Sequence, residues 1–244
     1  MKKIILSAAI LEISYLALSF ALAQIYGQWS YEGELIRAGL RVISILFYGY
    51  VYQKYFYNAK HSFKPKELLA PQFSAAILLF LFFGFAYTNA ENEPLLWQVV
   101  FAISGITAGL REELFYRGIV QTALQKKYDY KIALLTTTLL FTLSHVQYIY
   151  YGQIRGLMLI AFAGIIFGSI FIYTNSIVFT AVIHGLYDAA LSINLIPFRL
   201  SDEIVLPLLF LIMLVFLISI NKKLYPNQHS DEAGPNDQDN LSLG

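Results

Sequence analysis

The chain has no cysteine and little charge. Without cysteine it has no disulfide, no thiolate metal ligand and no thiol nucleophile. Only 14% of its 244 residues are charged, against roughly 25% in soluble domains. Histidine is scarce too: of four, His61 and His229 stand in polar stretches and read as solvated. A net charge of +1 offers no basic face for nucleic acid, so no nucleic-acid partner is expected.

What is abundant is apolar. Hydrophobic residues make up 57% of the chain and fall in long runs. Residues 73–87, 156–174 and 204–220 carry no charge, and 4–25 carry only Glu12. A helix of about 20 apolar residues crosses a bilayer core of roughly 30 Å. The runs predict an all-α, polytopic transmembrane bundle with about eight spans, near 4–26, 36–57, 72–89, 97–123, 131–151, 155–173, 176–196 and 203–221. Pro65, Pro71, Pro94 and Pro197 fall between spans, where proline belongs. Arg37 and Arg41 at the start of the second span are expected to snorkel to the interface. Residues 1–222 form the membrane domain, and 223–244 read as a disordered polar tail.

Lysine placement orients the bundle. Lys2, Lys3, Lys54, Lys60, Lys64, Lys66, Lys126, Lys127, Lys131, Lys222 and Lys223 all fall on one side of an eight-span arrangement. Glu32, Glu34, Glu91, Glu93, Asp202 and Glu203 fall on the other. The positive-inside rule then puts both termini in the cytoplasm of a bacterial-type plasma membrane. Ala21-Leu22-Ala23 resembles a signal-peptide cleavage site, but the apolar stretch before it is longer than a signal peptide's. Gly105-x-x-x-Gly109 and Gly164-x-x-x-Gly168 are expected to serve packing within the bundle.

Charges inside a bilayer are costly, so intramembrane ionisable residues mark function by default. They cluster here. Span four holds Arg111, Glu112, Glu113 and Arg117, span five His145, and span seven His184 and Asp188. At 1.5 Å per residue, Glu112, His145 and Asp188 each lie about 20 Å from the lysine-bearing ends of their helices. Glu113 and Arg117, at i and i+4, read as a structural ion pair, whereas Glu112 points about 100° away. Glu12 is expected to be an interface or cavity residue. A carboxylate beside an imidazole can take a proton from water, and a second imidazole with Asp188 can steady an oxyanion. That is a peptide hydrolase's set. Glu112, His145 and His184 also match the donors of a catalytic zinc site, although His-Glu-x-x-His is absent. No cofactor is favoured and zinc is the alternative.

Three motifs in order resemble the CAAX protease and bacteriocin-processing family, also called Abi. They are Glu112-Glu113-Leu114-Phe115-Tyr116-Arg117, Phe141-Thr142-Leu143-Ser144-His145 and His184-Gly185-Leu186-Tyr187-Asp188, within a core of about 97–195. The resemblance implies an intramembrane endopeptidase in which Glu112 and His145 activate water while His184 and Asp188 stabilise the oxyanion. It implies a membrane-associated protein or peptide as substrate: a prenylated C-terminal tail, a pheromone, a bacteriocin leader or a sorting signal. Asp188 departs from the asparagine of the prenyl-protein proteases, which puts its donor role in question. A proton-coupled transporter also uses buried Glu, His and Asp, and an immunity-type membrane partner would use none of them catalytically.

Overall fold

The computed structural model describes residues 2–28, 30–57, 70–87, 93–195 and 200–225. All regular structure among the described residues is helical. Eight segments follow the expected runs: α1 Lys2–Tyr26, α2 Tyr31–Val51, α3 Pro71–Ala86, α4 Leu95–Glu112, α5 Tyr130–Leu143, α6 Ile154–Thr174, α7 Ile177–Leu191 and α8 Asp202–Leu224. α2 runs on into a π-helical turn, Tyr52–Phe56. α4 runs on into a longer π-helical stretch, Glu113–Gln121, and a last turn, Thr122–Gln125. By length and composition α1, α2 with its π turn, α6 and α8 can each cross a membrane, while α3, α5 and α7 are apolar but shorter. The loop bearing Lys60, His61, Lys64, Pro65 and Lys66, the positions of Glu91 and Pro197, and the tail from 226, with His229, lie outside the described residues.

Local chemistry sets the helix starts. Ser30 accepts from the Gly33 N–H and Ser176 from the Phe179 N–H, each at 3.2 Å, which satisfies amides that a first turn leaves unpaired. The Ser30 cap, with Glu32 and Glu34 in the first turn, starts α2 five residues before the expected 36. That early start places Arg37 and Arg41 about two and three turns into the helix, away from its end. They are 5% and 9% exposed, paired with Glu34 inside the bundle rather than snorkelling.

Span five is not one continuous helix. α5 stops at Leu143, and a short helix, Gln147–Tyr150, follows the turn at 144–146. The carbonyl of Phe141 accepts the Ser144 hydroxyl at 2.7 Å and His145 Nδ1–H at 2.9 Å. The His145 amide then bonds Thr142 instead, at 3.0 Å. Side chains have taken over a helical acceptor, and the helix breaks there.

Two apolar clusters hold the bundle. Phe73, Phe80, Phe167, Tyr187, Leu209 and Phe216 join α3, α6, α7 and α8, with Phe80 and Tyr187 stacked at 4.1 Å. Ala8, Tyr48, Phe115 and Ile119 join α1 and α2 to the π stretch. Leu6, Ile13, Leu46, Leu78, Leu139 and Val178 face outward, as a lipid-facing surface requires. The small residues allow the closest crossing. A Cβ on Gly109 would lie 2.8 Å from the Gly185 amide, and one on Gly105 would lie 2.8 Å from Asp188 Cβ. Gly164 and Gly168 likewise face α5, so both spacings serve packing within the bundle.

Candidate active site

The α4–α7 crossing brings the motif residues together. Glu112 closes α4, His145 sits in the break after α5, and His184 and Asp188 lie one turn apart on α7. His145 Nε2 is 3.9 Å from Glu112 Oε1, and His184 Nε2 is 3.9 Å from Glu112 Oε2. One carboxylate therefore faces two imidazoles, one on each oxygen. Both separations exceed a direct hydrogen bond. Asp188 Oδ2 lies 3.5 Å from His184 Nε2.

Each group is held from behind. A carbonyl can only accept, so His145 Nδ1 donates to Phe141 and its Nε2 is left as an acceptor facing Glu112. His184 Nδ1 donates to Glu113 Oε1 at 2.8 Å, and the ring stacks on Phe167 at 3.9 Å. Arg117 Nη1 meets the same Glu113 oxygen at 3.1 Å, with both side chains fully buried. Arg117 also donates from Nη2 to the Gly164 carbonyl at 2.9 Å and lies over the Phe141 ring. The expected Glu113–Arg117 pair thus forms, and Glu113 takes on a further task, the alignment of His184. The stretch carrying this pair is π-helical, a rare geometry that is frequent at functional sites.

The charges with no assigned role pair with each other. Arg111 Nη1 donates to both oxygens of Glu12 at 2.8 Å, and its Nη2 donates to Glu112 Oε1 at 2.7 Å. Tyr48 and Tyr116 complete the shell of Glu12, at 2.9 and 3.3 Å. Glu12 is 2% exposed, so it is a buried anchor for Arg111 rather than an interface residue. The sequence held a usable signal: an acid alone in span one and an unassigned arginine in span four must find partners inside an apolar bundle.

Glu112, His145, His184 and Asp188 line a cavity of about 880 Å³. Its lining runs through Tyr148, Arg41 and Glu34 to Gln28, Glu93, Gln153 and Arg155. None of the lysines among the described residues lines it. A separate apolar groove between α3 and α8 carries none of the candidate residues. Among the described residues no group of three or more His, Asp or Glu is arranged to hold a metal ion. A tetrahedral zinc with bonds near 2.0–2.1 Å brings its ligand atoms within about 3.3 Å of one another. Glu112 and the two imidazoles stand wider than that, at 3.9 Å on different oxygens, so the set as it stands does not fit a zinc shell.

Residues 94–190 match the family model described as type II CAAX prenyl endopeptidase Rce1-like. The matched segment contains all three motifs and all four cavity-lining candidates. The match falls on the segment whose motifs resemble the CAAX proteases and covers less than half of the chain. With the apolar helices, it indicates a membrane protease. No curated protein and no solved structure matches the chain.

Proposed function

We propose that the chain is an eight-span intramembrane endopeptidase whose Glu112 and His145 activate water. The observation that carries this is the pair of 3.9 Å gaps between one carboxylate and two imidazole Nε2 atoms, inside a cavity. A water molecule in the first gap donates to His145 Nε2 and to Glu112. As its oxygen bonds to the scissile carbonyl carbon, its proton passes to Glu112 and the carbonyl electron pair moves onto oxygen. His184, held as an imidazolium with its Nδ1–H on Glu113, presents Nε2–H to that oxyanion. When the intermediate collapses, Glu112 returns the proton to the leaving amine and the C–N bond breaks. Arg111 holds Glu112 in place throughout. No step in this reading runs through a metal.

The substrate class follows from where the cavity opens. Its outer lining, Gln28, Glu93, Gln153 and Arg155, belongs to the ends without lysine. Under the positive-inside rule that face is extracytoplasmic, with both termini cytoplasmic. This favours a pheromone, leader or sorting-signal segment presented outside over a tail prenylated in the cytoplasm. The test is cleavage of internally quenched apolar peptides by purified protein, beside Glu112→Gln and with a strong chelator. Wild-type cleavage that survives chelation and vanishes in Glu112→Gln is expected. Cleavage by Glu112→Gln, or zinc lost together with activity on chelation, would overturn the mechanism.

A further inference from the structure

A second ionic cluster lies in the same cavity, away from the motifs. Glu34, Arg37 and Arg41 on α2 line it with Ser104 of α4 and Tyr15 of α1. Arg37 Nε donates to Glu34 Oε1 at 3.0 Å and its Nη2 to the Gln28 carbonyl at 2.9 Å. Arg41 Nε donates to the Tyr15 hydroxyl at 2.9 Å, and its Nη1 to Glu34 Oε2 at 3.3 Å and to the Ser104 carbonyl at 3.2 Å. The Ser104 hydroxyl bridges Arg41 and Glu34. Two guanidinium groups thus share one carboxylate.

Within this cluster two guanidinium groups meet one carboxylate, and the next acid along the cavity is Asp188. Glu93, at the mouth, is exposed and solvated, and Arg111 is already satisfied by Glu12 and Glu112. Among the described residues, Arg37 Nη1 and Arg41 Nη2 make no hydrogen bond, yet neither is a walled-off buried atom. Both residues line the cavity, the open space next to these donors. A buried guanidinium donor without a partner is costly until an acceptor meets it. Guanidinium forks suit carboxylates, which they bind through two parallel N–H bonds. Ser104 stands eight residues before Glu112 on α4, about 12 Å along the helix axis. Gly105, next to Ser104, packs on Asp188, so the cluster borders the site on its outer side, in the same cavity that would hold the substrate.

We infer that Arg37 and Arg41 form a carboxylate-binding subsite that anchors the peptide substrate at the outer end of the cavity. This rests on the peptidase reading of Glu112 and the two histidines. Both arginines precede the family-matched segment, so the subsite belongs to this chain's own α2. The carboxylate is either a chain terminus or an Asp or Glu side chain, and the two sources are separable.

The experiment uses full-length Glu112→Gln protein, to prevent turnover, and short fluorescent leucine- and alanine-rich peptides. One ends in a free acid, one in an amide, and one in an amide but with an internal glutamate. The acid or the glutamate peptide should bind about ten- to a hundredfold more tightly than the plain amide, the worth of a charge-assisted hydrogen bond. Whichever of the two binds tightly identifies the source. Adding Arg37→Gln removes one guanidinium fork, keeps the Glu34–Arg41 pair, and should bring all three peptides to the amide level. Arg37→Lys serves if that variant does not fold: it keeps the charge, loses the fork, and should fall between. Equal binding of the three peptides, or binding of none, overturns the subsite. Wild-type cleavage of the amide peptide tests the peptidase reading separately.

Discussion

Glu113→Gln separates the two adjacent glutamates. Glu113 accepts from His184 at 2.8 Å and faces Arg117 at 3.1 Å, with no exposure on either side of that pair. The amide keeps the size but removes the charge, so Arg117 stays buried opposite a neutral group. Breaking a buried pair by removing one partner costs about 3–5 kcal/mol. The glutamine carbonyl can still accept one bond, which places this change near the lower end. At about 2–4 °C per kcal/mol for a chain of this size, the thermal midpoint should fall by about 10 °C. The surviving folded protein should also be slow, because His184 loses its aligning carboxylate. A fall in kcat of about a hundredfold or more is expected, towards the ~10⁴ seen when a triad loses its orienting acid. Glu112→Gln should behave differently. Arg111 keeps both of its bonds to Glu12, so the midpoint should move little while turnover disappears. The assay is thermal unfolding in detergent with kcat measured per folded molecule. A Glu113→Gln protein with unchanged midpoint and unchanged kcat would refute the assigned role of Glu113. Activity kept in Glu112→Gln and lost in a stable Glu113→Gln would reverse the two roles.

Asp188→Asn should keep turnover within about tenfold of wild type, because Glu113 already supplies the alignment whose loss costs ~10⁴ in a triad, while Asp188 stands 3.5 Å from Nε2. A loss of several orders of magnitude would show that its carboxylate is needed. The absence of native cysteine makes topology directly testable. Single cysteines at Gln153 and near Glu91 should react with an impermeant maleimide from outside intact cells, and one at Gly244 only after lysis. Labelling of all three from outside would sink the proposed orientation.

Much of this protein is legible without coordinates because a bilayer constrains so strongly. Long uncharged runs have no stable alternative to helices in lipid, so the all-helical fold and its eight segments follow from hydropathy alone. Charges forced into such runs are few, and the i, i+4 spacings of Glu113 with Arg117 and of His184 with Asp188 put each pair on one face. The convergence of Glu112, His145 and His184 follows from depth and motif order. Partnership across helices does not, because it depends on rotation about each helix axis and on side-chain direction, which periodicity leaves open. Only the packed bundle gives Glu113 to His184, Glu12 to Arg111, and Glu34 to both Arg37 and Arg41. Only the bundle shows the Phe141 carbonyl surrendered to Ser144 and His145, because the helical hydrogen bond and its side-chain competitors are close in energy and tertiary contacts choose between them. That Gln28, Glu93, Gln153 and Arg155, from the lysine-free ends, line the same cavity as Glu112 is likewise a property of how the helices lean together, which no single run of residues encodes.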